Sequence, residues 1–335
     1  MIVLKKSTQT ELDRVQALIK KELVSDKIIQ EIYKYIFKAE GKKTRALLCL
    51  LASKSREIKS KDRINLASII ELLHTATLVH DDVVDESELR RGTKSVNQVW
   101  TNSYSVLMGD FIYSKAFILM VKLGIPSVLD ELAKATNDIA RGEIIQLNLL
   151  EKKQHIKLQD LLKISYLKTG RLFEASSKTG AMLANKSKEE IKIFGLLGKT
   201  LGTAFQIQDD ILDYEAFKLN TGKPALKDFK EGKITFPLYF ALQNSSVKDK
   251  KFLMNKLGQS KISKKDQNKI YSLIQNEKTQ KQINALLHKY SQETLKHLHK
   301  LKHDACYNEM LNLINFAKIR KKSHLYQPQV IQKKI

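Results

Sequence analysis

Proline and glycine are both scarce, at four and 13 residues in a chain of 335. Proline breaks helix interiors and glycine loosens them, so their scarcity favours long uninterrupted helices. Only two cysteines are present, Cys49 and Cys306. They lie far apart with no metal-ligand spacing, so each reads as a small core residue and not as half of a disulfide. No stretch approaches the roughly 18 apolar residues of a membrane span. The start, MIVLKKSTQTELDR, has too short an apolar run for a secretory signal, and a cytoplasmic protein is expected. Acidic residues are outnumbered 36 to 59, for a formal charge of +23. That excess permits nucleic acid, an anionic membrane surface or phosphorylated substrates as partners. The lysines are scattered, densest in the last third, and lack aromatic interleaving, so nucleic acid is set aside.

Apolar residues recur with a period of 3.6 almost everywhere, and alternating strand patterns are nearly absent. The spacing predicts an all-α chain. Helices are expected over 10–37, from near Thr44, over 62–85, 95–123, 127–149, 161–183 and 188–214, then from Lys233 to Leu242 and onward to about Ile319. Ser187 and Glu190 form a capping box before 188–214. A loop is expected over 217–232, and the basic tail 320–335 stands apart. No linker marks a boundary, so 1–335 reads as one domain. Its catalytic core is about 12–242, with a peripheral helical extension over about 245–319.

One stretch dominates, LLHTATLVHDDVVDESELRRG over 72–92. Asp81 and Asp85 lie four apart on a helix and share a face one turn apart, where like charges repel. The negative end of the helix dipole is close by. Such an arrangement gains nothing structurally unless a cation sits there. The pattern recurs as FQIQDDILDY over 205–214, with Asp209, Asp210 and Asp213. Two copies of Asp-Asp-x-x-Asp, each in an apolar helix, suggest two walls of one metal site. The six carboxylates Asp81, Asp82, Asp85, Asp209, Asp210 and Asp213 are hard oxygen donors suited to Mg²⁺, which completes its shell with water and phosphate oxygens. A phosphorylated substrate is therefore expected. Basic residues stand nearby: Lys42 and Arg45 at a helix start that already favours anions, then Arg90, Arg91, Lys168, Lys223 and Lys233.

With these residues in order, the chain resembles the trans-isoprenyl diphosphate synthases, the polyprenyl synthetase family, over roughly 12–242. LVHDDVVDESELRRG is similar to the family's first aspartate-rich motif and FQIQDDILDY to its second. EGKKTRALL, YLKTGRLFEA and GKPALKDFKEGKITFPL resemble its basic, Lys-Thr and Gly-Lys segments. The resemblance implies a bundle of long antiparallel helices around a deep central cavity. It implies condensation of isopentenyl diphosphate with an allylic diphosphate, farnesyl diphosphate being the expected primer, by ionisation, attack by the double bond and proton loss. Three Mg²⁺ ions per site and a homodimer are expected with it. Lys42, Arg45, His74 and Arg91 would grip isopentenyl diphosphate. Arg90, Lys168, Lys223 and Lys233 would hold the allylic diphosphate, with Thr169 and Gln206 flanking the cation. The basic segment departs from the family pattern, with Glu40 for a second Gly, Lys43 for Arg and Ala46 for Pro.

Ala76 and Thr77, one turn before Asp81, are small, and an aromatic there would close the product chamber early. A medium-to-long, octaprenyl-like product for quinone side chains is expected, and Met108, Phe111 or Met120 could floor the chamber instead. A shorter-chain synthase is the alternative. A terpene cyclase would lack the second motif, and a non-catalytic partner subunit would have eroded aspartates. The basic surface would also allow peripheral contact with an anionic membrane that receives the product.

Overall fold

The computed structural model describes residues 4–23, 26–38, 41–55, 57–90, 92–152, 156–218 and 226–318. The elements run α1 (Lys6–Glu22), α2 (Lys27–Lys38), α3 (Thr44–Ala52), α4 (Ser60–Val84), a two-stranded antiparallel hairpin β1 (Leu89–Arg90) and β2 (Thr93–Lys94), α5 (Val96–Val99), α6 (Asn102–Leu123) and α7 (Pro126–Lys152). Then follow α8 (Leu158–Ser165), a π turn (Tyr166–Gly170), α9 (Arg171–Leu183), α10 (Lys188–Lys218), α11 (Lys227–Lys230), α12 (Phe236–Asn244), α13 (Val247–Lys256), α14 (Lys264–Ile274), α15 (Glu277–His299) and α16 (Tyr307–Lys318). Among the described residues the hairpin is the only sheet.

The core forms around α4, about 37 Å long at 1.5 Å per residue. Leu66, Ala67, Ile69, Ile70, Leu72, Leu73 and Ala76 are all fully buried, which places them on several sides of the helix. A helix apolar on several sides belongs in the centre of a bundle. It packs chiefly against α6, and also against α1 and α3, while α9 and α10 pair beside it. Gly109 of α6 makes the α4–α6 approach possible, since a Cβ there would stand 2.2 Å from His80 Nε2. Gly198 of α10 is similarly tight against backbone, where a Cβ would stand 2.4 Å from the Phe173 carbonyl oxygen of α9.

Several expectations change. The helix expected over 10–37 is two, because α1 closes at Leu23 and α2 begins at Lys27. The helix expected over 95–123 breaks at Trp100, where the backbone turns away (φ −107°, ψ −108°) and Thr101 caps α6 through Tyr104 N–H. The helix expected over 161–183 contains the π turn. Lys233 precedes α12, which starts at Phe236 with Pro237 in its first turn, as suits a residue lacking the N–H. The capping box is present: Ser187 Oγ accepts from Glu190 N–H, and Glu190 Oε2 from Ser187 N–H. Cys49 and Cys306 are buried and unbridged.

The C-terminal helices are not peripheral. Leu298, Cys306, Met310, Leu313 and Ile314 of that segment join the main core. Thr294 Oγ1 donates to Thr200 Oγ1 at 3.0 Å, and Lys186 pairs with Asp304 at 2.9 Å. A smaller core forms where α12, α13 and α14 close over Tyr214, Leu226 and Phe229. That second core fixes the end of α10 and the segment after it.

Candidate active site

The two aspartate motifs sit near the C-terminal ends of α4 and α10, and the segment around α11 ties those ends together. Lys233 Nζ pairs with Asp85 Oδ2 at 2.7 Å. Lys227 Nζ donates to Ser87 Oγ at 3.0 Å. Backbone N–H groups of Lys227 and Asp228 donate to the two oxygens of Asp213 at 3.2 and 3.3 Å. Asp228 is half-buried and lies within electrostatic reach of both Asp213 and Asp85.

A second route joins the same walls through the π turn. Lys168 Nζ meets Glu143 Oε2 at 2.5 Å and Gln146 Oε1 at 2.6 Å, both from α7. Asp81 feels Glu143 and Lys168. Thr169 Oγ1 donates to Gln206 Oε1 at 2.6 Å, and Gln206 Nε2 donates to Asp210 Oδ1 at 2.8 Å. Asp210 Oδ2 then accepts from Phe236 N–H at 3.3 Å.

The six aspartates therefore stand in different environments. Asp82 is buried and accepts from Arg90 Nη1 at 3.0 Å. Asp210 is buried and orients Gln206, and Asp213 holds the start of α11. Asp81, Asp85, Asp209 and Asp213 are half-buried. Burial pushes the Asp81 carboxyl up to about 6, with Glu143 and then Asp85 adding repulsion against the pull of Lys168. Burial and then Asp228 push Asp213 up to about 7. Lys233 stays charged, because Asp85, Glu231 and Asp228 together outweigh its desolvation.

Among the described residues, no three carboxylate, imidazole or thiol side chains converge to enclose an ion by themselves. The donor set nevertheless fits Mg²⁺, which is commonly held by one or two carboxylates with waters and substrate phosphates completing the octahedron. The surplus negative charge at Asp81, Glu143 and Asp85 is what a divalent cation would offset.

Beside the first aspartate motif lies a cavity of about 420 Å³, lined by His74, Asp82, Arg90, Lys43, Tyr33 and Lys94 among others. Arg45 Nη1 lies 3.0 Å from His74 Nε2. A guanidinium can only donate, so Nε2 is the acceptor and the imidazole is neutral with its proton on Nδ1. The Arg45 guanidinium also lies 4.6 Å from the Phe173 ring centroid, and Lys42 Nζ 5.0 Å from that of Phe316. Lys43 adopts φ +47° just before α3, where no side chain caps the helix N-terminus. Arg91, Lys223 and Glu40 lie outside the described residues. Ala76 is fully buried in the core, and half-buried Thr77 donates to the His74 carbonyl at 2.8 Å.

Glu143, Gln146, Asp228, Lys227 and Glu231 carry the site's charge pairing and escape a motif-based reading. Glu143 and Gln146 sit in α7, with no acidic repeat to mark them. Asp228 lies in KDFKEGK, where two carboxylates among five charges have no distinguishing spacing.

A family model described as polyprenyl synthetase matches residues 26–274. The chain is 40% identical over 240 residues to the octaprenyl diphosphate synthase of Escherichia coli, covering 71% of this chain and 74% of that protein. It is 39% identical over 259 residues to the all-trans-nonaprenyl-diphosphate synthase (geranyl-diphosphate specific) of Rhodobacter capsulatus, covering 76% and 78%. The crystal structure of a polyprenyl synthase from Caulobacter crescentus, complexed with calcium and isoprenyl diphosphate, superposes with a TM-score of 0.88 at 32% identity, covering 95% of this chain and 97% of that one. With two aspartate motifs stapled across one gap and a family match over most of its length, the chain belongs to the polyprenyl synthetase family.

Proposed function

We infer that the protein is a trans-polyprenyl diphosphate synthase, joining isopentenyl diphosphate to an allylic diphosphate to give a medium-to-long, octaprenyl-like chain. The observation that supports this most is the pair of ties across the gap: Lys233 to Asp85, and Lys168–Thr169–Gln206 between α7 and α10. Asp81, Asp85 and Asp209 would hold Mg²⁺, with Asp82, Asp210 and Asp213 shaping the walls. Bound Mg²⁺, three ions in our reading, would neutralise the diphosphate as it leaves.

Lys168 and Lys233 are paired with Glu143 and Asp85. A diphosphate would let these lysines exchange a carboxylate for phosphate oxygens, leaving Asp85 available to hold Mg²⁺. Arg90 and, from outside the described residues, Lys223 would add to this grip. Thr169 and Gln206 lie beside Lys168, where the allylic carbon would ionise, and their oxygens suit a developing cation. Isopentenyl diphosphate would take Lys42, Arg45, His74 and Arg91 on the cavity side of α4. The neutral His74 there donates only through Nδ1 while Arg45 supplies the charge.

The tail would run along α4 from Asp81 towards Ala76 and Thr77. An exposed stripe on α6, Leu107, Ile118 and Val121, supports a homodimer through that helix. The last 91 residues carry 20 Lys or Arg against 6 Asp or Glu, a net +14. That excess supports contact with an anionic membrane, testable by salt-sensitive liposome binding. Incubation with Mg²⁺, farnesyl diphosphate and isopentenyl diphosphate is expected to give linear products of octaprenyl-like mass. A cyclic hydrocarbon would instead point to a cyclase, and absence of turnover to a partner subunit.

A further inference from the structure

The π turn carrying Lys168 and Thr169 is braced from both sides by groups that touch neither proposed substrate. On the α7 side, Arg171 is 6% exposed. Its Nε donates to Asp138 Oδ2 at 2.8 Å and its Nη1 to Glu131 Oε1 at 2.7 Å. Glu131 Oε2 is held in turn by Lys178 Nζ at 2.6 Å. Across the turn itself, the Tyr166 hydroxyl donates to Glu174 Oε2 at 2.6 Å. Tyr166 opens the π turn and Glu174 lies four residues beyond its close, so this bond spans it. Lys199 of α10 sits 4.7 Å from the Tyr166 ring centroid.

A π turn is rare, and it inserts one extra residue into a helix. Reverting to α geometry would rotate the chain before the turn by about one residue position relative to the chain after it. With Arg171 and everything beyond it fixed, that slip would carry Lys168 away from Glu143 and Gln146. The network explains stability poorly. Burying ion pairs costs desolvation that their attraction often only repays, and apolar replacements are frequently as stable. What it supplies is a single geometry, through short, saturated bonds that fix both ends of the turn.

We propose that Arg171, with Glu131 and Asp138, and Tyr166, with Glu174, are positioning residues that lock the π turn and so aim Lys168 and Thr169 at the allylic diphosphate. The claim rests on the prenyl-elongation reading, and it separates the two substrates. Displacing the turn impairs the allylic side, while the isopentenyl grips on α3 and α4 meet α9 at the Phe173 ring, beyond the turn.

The test uses the full chain with Tyr166→Phe, Arg171→Lys and Glu174→Gln, measuring kcat, both KM values and melting temperature. Tyr166→Phe and Arg171→Lys are expected to lower kcat about ten- to hundredfold, the usual result of roughly 1 Å of misplacement. They should also raise the allylic KM and leave the isopentenyl KM unchanged. Glu174→Gln replaces the carboxylate acceptor of the Tyr166 hydroxyl with a neutral amide oxygen and should show the same pattern more weakly. Should Arg171→Lys fail to fold, Tyr166→Phe, which removes one hydroxyl, carries the comparison. Calorimetric binding of inorganic diphosphate with Mg²⁺ gives a readout without turnover and should weaken in the same two variants. Melting temperatures that fall while kcat, both KM values and diphosphate affinity hold would overturn the proposal, as would equal shifts in both KM values. A wild-type protein that binds diphosphate but elongates nothing counts against the functional reading alone.

Discussion

Asp81 shows at one residue how the site trades stability for function. Its carboxyl is pushed up to about 6, first by burial and then by Glu143. A carboxylate raised in the folded state destabilises that state as it ionises, so its contribution falls as pH climbs from the ordinary Asp range through about 6. Asp81→Asn removes the charge. At pH 7 without ligand it should raise stability by about 3 kcal/mol, since each pKa unit is worth about 1.4 kcal/mol. It should also flatten the fall in melting temperature between pH 4 and 7. The same variant is expected to lower kcat by about three orders of magnitude or more, from the loss of a metal-holding group. Mg²⁺ with inorganic diphosphate should restore wild-type melting temperature at pH 7 and do little for the variant. Thermal melts across that pH range, with and without both additives, check all of this.

At the scale of the element, α4 and α10 present their aspartates correctly only because their neighbours come very close. Gly198→Ala would place a Cβ 2.4 Å from a backbone carbonyl of α9 and 2.3 Å from Ser177 Oγ. Neither helix can yield locally, since Ser177 Oγ also donates to the Phe194 carbonyl at 2.7 Å. A loss of about 1–3 kcal/mol is expected from such overpacking, read as a lower melting temperature. Because α9 and α10 carry the π turn and Gln206, a loss of kcat should follow. Along α4, Thr77 is half-buried and Ala76 fully buried. Thr77→Phe is therefore expected to shorten the product, read by mass, with a smaller drop in melting temperature than Ala76→Phe. Unchanged product length in both would move the chamber floor away from α4.

For the whole molecule, exposed large apolar side chains gather most densely on α6, with others spread over the surface, Val247 of α13 among them. Leu107 is 65% exposed and Val121 68% on α6, and Ile144 67% on α7. Leu107, Ile118 and Val121 recur at 11- and three-residue intervals, which keeps them on one helical face. A face of that kind on a lysine-rich surface is typical of a buried interface. Leu107→Lys combined with Val121→Glu is expected to turn a dimer into a monomer by light scattering, with the far-ultraviolet spectrum unchanged. A dimer that survives both charges would place the interface elsewhere.

Much of this molecule can be read along the chain. The bounds of α4, the capping box at Ser187, both aspartate motifs and the helical character of the described residues follow from periodicity, spacing and composition, all local properties. The breaks at Leu23 and Trp100 and the π turn at Tyr166 were not visible there, because apolar spacing continues through each of them. The division among the aspartates was equally hidden. Asp81 and Asp82 are neighbours in sequence, and one meets Glu143 and Lys168 while the other is buried against Arg90. Packing also decided that Lys233 meets Asp85, and that α15 and α16 join the main core. A motif fixes which chemical groups are supplied; the partner each group meets comes from residues tens or hundreds of positions away, and only the folded chain brings those together.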